Sequence, residues 1–266
     1  MMFLSGIERR APAEPADRFP WSLPLLRELD TLELRAPVTF FVGENGSGKS
    51  SLLEGLAAGM GVVAVGSRDL ERDDSLHGAR EFARAFRFVR RRHPRVKLFL
   101  RAEDVFGFTR RIGREIAGLR ELEEEFRDRL PDGSIGQIRA TGLMAGQRRA
   151  LAARYGAEPQ ARSHGETFLG ILQSRLAPNG LYFLDEPETP LSPSRVLSLL
   201  ALLKDRVAQD CQFVVATHSP LLLALPGAEI LLFEHERIQP AAYDDLEHVR
   251  LTRDFLANPQ RFLRHL

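Results

Sequence analysis

The order of elements along the chain predicts an α/β protein on a mostly parallel sheet covered by helices. Three observations carry this. Short apolar runs, the kind that strands buried on both faces require, alternate with segments of helical spacing. A glycine-punctuated turn joins one such run to a helix. At 266 residues the chain is long enough for one large α/β domain or two small ones with a sizeable core.

Taken in order, the first α/β stretch runs to about Gly66. Pro37–Val42 predicts a buried strand, Gly43–Gly48 a turn, Lys49–Met60 a helix and Val62–Val65 a further strand. Residues 68–162 are charged and Arg-rich. Within them Arg114–Arg129 places Leu119, Leu122 and Phe126 at helical spacing with charges elsewhere, which predicts an amphipathic helical lobe. The second α/β stretch opens at Ser163 with a helix to about Leu176, then strand Leu181–Leu184, helix Pro193–Asp210, strand Gln212–Thr217 and strand Ile230–Glu234. From Tyr243 the chain returns to helix, with Leu246, Val249, Leu251, Phe255, Phe262 and Leu263 available to dock on the body. The expected organisation is a single domain, with a nucleotide-binding core at 1–67 and 163–239, a mainly helical lobe at 68–162 and a helical tail at 240–266.

Composition removes several classes. Hydrophobic residues at 44% and charged residues at 27% describe a soluble globular chain and exclude a disordered or fibrous one. A formal net charge of +1 argues against a histone-like polycation or an acidic tail. Cys211 is the lone cysteine, so neither an intrachain disulfide nor a multi-cysteine zinc site is possible, and a reducing cytoplasm is the expected location. The N-terminus does not read as a signal peptide. Nor does any span approach the roughly 20 apolar residues of a membrane helix.

Chemistry is concentrated in four motifs. Gly43-Glu44-Asn45-Gly46-Ser47-Gly48-Lys49-Ser50 fits the P-loop pattern and stands between a strand and a helix, as phosphate binding demands. Its glycines turn backbone N–H groups inward, the helix N-terminus adds positive potential, Lys49 reaches the β- and γ-phosphates, and Ser50 offers a hydroxyl to Mg²⁺, with Ser51 adjacent. Leu181-Tyr-Phe-Leu-Asp185-Glu186 is an apolar strand ending in two carboxylates. Asp185 suits the Mg²⁺ shell, and Glu186 can orient and deprotonate the attacking water, an effect typically worth about 10²- to 10⁴-fold. Ala216-Thr-His218-Ser-Pro220 puts His218 at the same sheet edge, within reach of the γ-phosphate and water, while Ser219 and Pro220 also read as a helix cap that leaves His218 incidental. Ser163-His164-Gly165-Glu166 is by itself a capping box, yet serine and glycine at a helix N-terminus also suit an anion.

Together these motifs, with Leu-Arg-Ala-Glu at 100–103, Leu-Asp-Glu-Pro-Glu at 184–188 and Leu-Ser-Pro at 191–193, resemble the ABC-type ATPases. Within them the chain is similar to the soluble branch that includes SMC-like proteins, and to bacterial stand-alone ATPases marked by Ser-His-Gly-Glu. The resemblance covers nearly the whole chain. It implies a P-loop fold of ABC type with antiparallel N-terminal strands and a helical signature lobe. It also implies a head-to-tail homodimer around two Mg·ATP, with Ser163 and Gly165 of one subunit touching the γ-phosphate held by Lys49 of the other.

Three departures from the transporter pattern limit what carries over. The usual Leu-Ser-Gly-Gly-Gln signature is replaced by Arg162-Ser163-His164-Gly165-Glu166, with Glu166 expected to cap its own helix. Arg101-Ala-Glu103 stands where the Q-loop glutamine belongs, making Glu103 a candidate to reach the Mg²⁺ shell through water. No motif fixes the adenine platform, and either Phe19 or Trp21 can stack.

Between Phe82 and Ala102 there is no acidic residue, and Arg84, Arg87, Arg90, Arg91, Arg92, Arg95, Lys97 and Arg101 sum to +8. Arginines at helical spacing before Pro94, interleaved with Phe86, Phe88 and Phe99, can follow a phosphate backbone. They also read as a solvated face paired with acids, and only three of the 37 basic residues are lysines, so Arg usage is high throughout. The expected function is an ATP-driven dimerisation switch acting on nucleic acid or a partner protein, as in repair or phage-defence ATPases. The alternative is the nucleotide-binding subunit of a membrane transporter.

Overall fold

A computed structural model of the chain describes residues 2–10, 18–62, 74–155 and 164–264. The strands are β1 (Leu4–Arg9), β2 (Thr31–Glu33), β3 (Val38–Gly43), β4 (Phe86–Arg90), β5 (Val96–Arg101), β6 (Gly180–Asp185), β7 (Gln212–Ala216), β8 (Glu229–Glu234) and β9 (Arg237–Pro240). The helices are α1 (Pro24–Glu28), α2 (Lys49–Gly59), α3 (Asp74–Ala85), α4 (Ala102–Arg129), α5 (Ile135–Tyr155), α6 (His164–Arg175), α7 (Pro193–Ala208), α8 (Pro220–Leu223), α9 (Glu247–Ala257) and α10 (Pro259–Leu263). The strand expected at 62–65 falls, apart from Val62, outside the described residues.

Six strands form one sheet in the order β5-β6-β7-β3-β8-β9, parallel except for β9. β3, β6 and β7 are apolar almost throughout because both of their faces are covered, so burial replaces alternation. A separate antiparallel sheet has the order β2-β1-β4. The buried side chain of Gln212 ties the two sheets together. It accepts from Phe3 N at 2.7 Å and Leu4 N at 2.9 Å and donates to Leu4 O at 2.7 Å.

The chain forms two compact units, Met1–Ala102 with Leu176–Leu266, and Glu103–Arg175. The first holds both sheets and a core around Phe41, Leu52, Leu56, Phe82, Phe86 and Phe183. The second is helical. There Arg148 pairs with Glu123 at 3.1 Å, joining α5 to α4, and Gln137 closes the intervening turn by accepting from Gly133 N and donating to Arg127 O, each at 2.8 Å.

The lobe expected at 68–162 is therefore shorter at its start and longer at its end. β4 pairs with β1 and β5 with β6, which draws the whole segment before Glu103 into the sheet unit. Phe86-Arg87-Phe88-Val89-Arg90 is a strand and not the arginine helix expected before Pro94. The tail also differs from expectation. Leu246 and Val249 are buried, but Leu251 is 54% and Leu263 49% exposed, and Phe255, also exposed, packs edge-on against Phe262.

Candidate active site

The centre of the site is the turn from β3 into α2. β3 lies between β7 and β8, and a Cβ on Gly43 would meet Phe233 O at 2.4 Å, so only glycine lets the loop leave the sheet there. Gly48 caps α2 in a left-handed conformation, φ 94°, that glycine adopts without cost. Glu44, Asn45 and Gly46 form the exposed crest of the loop, while Ser47, Ser50 and Ser51 are half-buried. Lys49, 5% exposed, donates to Gly43 O and Glu44 O at 2.7 Å each and to Ser47 Oγ at 3.4 Å. Burial pushes its ammonium below the usual lysine range, and Glu186 and Asp185 oppose that shift.

Asp185 ends β6 and is 3% exposed. It accepts from Ser50 Oγ at 2.9 Å and from Arg101 Nε at 3.0 Å, and Arg101 also pairs with Glu54 on α2. Burial works to lower the Arg101 guanidinium, but Glu54 and Asp185 outweigh it and raise it. Glu186 follows with φ 47°, a conformation that costs a non-glycine residue about 1–2 kcal/mol and is typical of functional turns. Its N–H bonds Ala216 O at 2.9 Å, fastening the β6 exit to the β7 exit.

His218 stands on that β7 exit with Nε2 3.8 Å from Glu186 Oε1, and Nε2 is buried without a hydrogen-bond partner. Burial first, then the Lys49 charge, hold its imidazole below the usual range against the pull of Glu186 and Asp185. Glu188 fixes this loop. Its Oε1 accepts from Thr217 Oγ1 at 2.5 Å and from His218 N at 2.8 Å. Ser219 caps α8 by accepting from Leu222 N at 3.4 Å, with Pro220 at the first helical position. The helix-cap reading of Ser219 and Pro220 therefore holds. A P-loop ammonium, a Ser–Asp oxygen pair, a strained glutamate and an uncharged imidazole thus converge at one edge of a parallel sheet, where α/β folds bind ligands.

Residues 71–224, more than half of the chain, match the family described as "AAA domain, putative AbiEii toxin, Type IV TA system". The chain belongs to this AAA-domain family. A curated relative, the hemin import ATP-binding protein HmuV of Rhodopseudomonas palustris (strain BisB5), is 28% identical over 217 residues, covering 81% of this chain and 77% of the relative. Among solved structures, one described as "an inward-facing conformation of a putative metal-chelate type ABC transporter" has a TM-score of 0.51 at 19% identity, over 96% of this chain and 89% of that one. At that identity the likeness is one of fold, and the fold is the P-loop α/β architecture expected from the motifs. This AAA-domain protein is an ATPase, and ATP binding and hydrolysis are the chemistry of its class.

The remaining candidates of this AAA-domain ATPase are distributed as follows. Ser163 lies outside the described residues, and His164, Gly165 and Glu166 open α6, with Gly165 buried and Glu166 exposed. Glu103 is exposed in the first turn of α4. Trp21 stacks on Phe82, with centroids 6.2 Å apart and Arg9 over its ring at 5.3 Å, so it serves the core. Phe19, 42% exposed, lies against Gly78 of α3. Ser192 occupies the cap position of α7 but bonds Ser194 Oγ at 3.1 Å instead of a backbone amide.

Of the cations at 84–101, at least five bind within the sheet unit. Arg87 pairs with Glu8, Arg90 donates to Gly59 O, Arg91 to Ser5 Oγ, Lys97 to Met60 O, and Arg101 to Asp185. Sequence reasoning missed Glu188, Glu54 and His248. Glu188 was signalled by its place in Leu-Asp-Glu-Pro-Glu. Glu54 stands one helical turn beyond Ser50, which is a signal only once a cation is known to face it. His248, on α9, is held below its usual range by burial and by the neighbouring His218, and nothing in the sequence links these two.

Proposed function

We propose that this ATPase is a cytoplasmic, ATP-driven switch that forms a head-to-tail homodimer around two Mg·ATP and acts on a partner macromolecule. The observation that carries the reading is the convergence of Lys49, Ser50, Asp185, Glu186 and His218 at one sheet edge. Among the described residues no helix is long and apolar enough to cross a membrane.

Mg²⁺ fits the residues present, because Ser50 Oγ and Asp185 Oδ1 are hard oxygen donors 2.9 Å apart. So small a protein set matches an ion that keeps waters and substrate phosphates in its shell. Ser50 and Asp185 would hold it, with Glu103 contributing through water, and the ion would neutralise phosphate charge. The chain's own residues do the rest. The P-loop amides and α2 N-terminus cradle the phosphates, and Lys49 leaves its carbonyl partners for the β- and γ-oxygens. Glu186 accepts a proton from the attacking water. His218, uncharged and adjacent, donates to the γ-phosphate or orients that water. Ser163, His164, Gly165 and Glu166 of the second subunit close the site over the γ-phosphate, and Phe19, or less readily the packed Trp21, stacks on adenine.

The effector we favour is a protein. At least five of the eight cations in the 84–101 stretch are already engaged within the fold, which leaves a poor track for a phosphate backbone. Steady-state ATP turnover at low salt, with and without single-stranded DNA, duplex DNA or RNA, tests this. Turnover is expected to ignore all three, and stimulation that fades with salt would reassign the stretch to nucleic acid. In the same assay Lys49→Ala abolishes nucleotide binding, and Glu186→Gln binds ATP but turns over about 10²- to 10⁴-fold more slowly. The hemin-import relative favours a second reading, an ATP-binding subunit of a transporter. That reading predicts that turnover requires a membrane partner and is near zero for the isolated chain at every protein concentration.

A further inference from the structure

Asp185 is buried with both carboxylate oxygens engaged, Oδ1 by the Ser50 hydroxyl at 2.9 Å and Oδ2 by Arg101 Nε at 3.0 Å. The second engagement follows from strand pairing. Arg101 and Asp185 are direct partners across the parallel β5–β6 ladder, both at the C-terminal ends of their strands. The other arm of the guanidinium reaches Glu54, one turn beyond Ser50 on α2. Glu54 and Arg101 side chains are only 13% and 30% exposed, so this three-residue bridge is shielded from water. A planar fork that spans two carboxylates is a task for arginine in particular, since an ammonium lacks the second arm.

The consequence concerns charge at the metal position. Asp185, Glu186 and Glu54 carry three negative charges, and Lys49 and Arg101 two positive ones, leaving −1. Without Arg101 the same set would be −2, with Asp185 Oδ2 released towards a divalent ion. We infer that Arg101 is the resident counter-ion of the Mg²⁺ position. It is a positioning residue that holds Asp185 in register with Ser50 and withholds Oδ2 from bare divalent cations, so that metal enters only with a nucleotide whose phosphates supply the missing ligands. The inference rests on the Mg·ATP reading above and adds an order of binding to it.

The test uses the full-length protein and Mn²⁺ as the probe, read by electron paramagnetic resonance and by thermal melting. Wild type is expected to show no Mn²⁺ binding and no melting shift at millimolar Mn²⁺ without nucleotide. Arg101→Gln should bind bare Mn²⁺ about tenfold or more tightly than wild type, because it removes a positive charge beside the ion's position, and be stabilised by it. Arg101→Met removes the charge while keeping a long apolar stem, and decides the matter if the glutamine variant does not fold. A gain in Mn²⁺ affinity supports the inference, and equality with wild type overturns it. Glu54→Gln leaves the Arg101–Asp185 pair and should still exclude bare Mn²⁺, so binding by this variant would also overturn it. Nucleotide is added last. If wild type shows no melting shift with Mg·ATP, the functional reading fails. If it shifts while the Arg101 variants match wild type in Mn²⁺ alone, only the role of Arg101 fails.

Discussion

Glu188 accepts from both Thr217 Oγ1 and His218 N, so one carboxylate sets the position of the imidazole that faces Glu186. Burial pushes this carboxyl upward, and the bond from Thr217 and the amide of His218 oppose the shift. Removing it leaves a fully buried hydroxyl and a backbone N–H without an acceptor, a loss of about 1–3 kcal/mol. Glu188→Ala should therefore lower kcat about 10- to 100-fold while ATP affinity changes little, and Glu188→Gln, which keeps an acceptor oxygen, should recover most of the loss. A fall in nucleotide binding as large as the fall in kcat would remove Glu188 from the role of positioning His218. The histidines set a pH dependence of opposite origin. His218 and His248 are both held below the ordinary value of 6.5, chiefly by burial. The unfolded chain thus takes up protons near pH 6.5 that the folded chain does not. Stability accordingly rises with pH through the window below 6.5 and levels off above it. Melting temperature measured from pH 5 to 8 should show this slope, and His248→Asn should flatten it.

At the level of elements, the join between the two sheets is one side chain at the start of β7. Gln212→Leu keeps the volume but strands the amides of Phe3 and Leu4 and the carbonyl of Leu4 in the core, so it should cost about 3 kcal/mol in urea unfolding. Stability within about 0.5 kcal/mol of wild type would show that the sheets hold together without it. Strands that end in site residues were readable because each is a short apolar run bounded by a motif. β3, β6 and β7 lie within one residue of the positions their sequences predict. The arginine-rich segment misled because Arg84, Arg87 and Arg91 share helical spacing, while the competing signal, Phe86 and Phe88 flanking Arg87, is only three residues long. Pairing with β1, more than seventy residues earlier, decides in favour of a strand. The same distinction governs the site. Lys49, Asp185, Glu186 and His218 sit in contiguous motifs whose spacing states their chemistry. Glu54 and His248 acquire meaning only from neighbours brought by the fold.

At the scale of the whole molecule, Lys49, Ser50 and Asp185 belong to the sheet unit, while His164, Gly165 and Glu166 open α6, the last helix of the helical unit. In a head-to-tail dimer each site draws Lys49 from one copy and Ser163 from the other, so turnover per molecule should rise with protein concentration until the dimer saturates. Glu186→Gln, which binds ATP without consuming it, should accumulate as a dimer in excess Mg·ATP by light scattering, and a monomer under those conditions would contradict the arrangement. Complementation is the stricter test. Lys49→Ala and Ser163→Arg are each inactive alone, because every site in either homodimer has one defect. A mixed dimer gathers both defects into one site and leaves the other intact. With random pairing, turnover should recover to at most about a quarter of wild type. If Ser163 acted on the nucleotide of its own subunit, every site in the mixture would stay defective and turnover would remain at the level of the two variants alone.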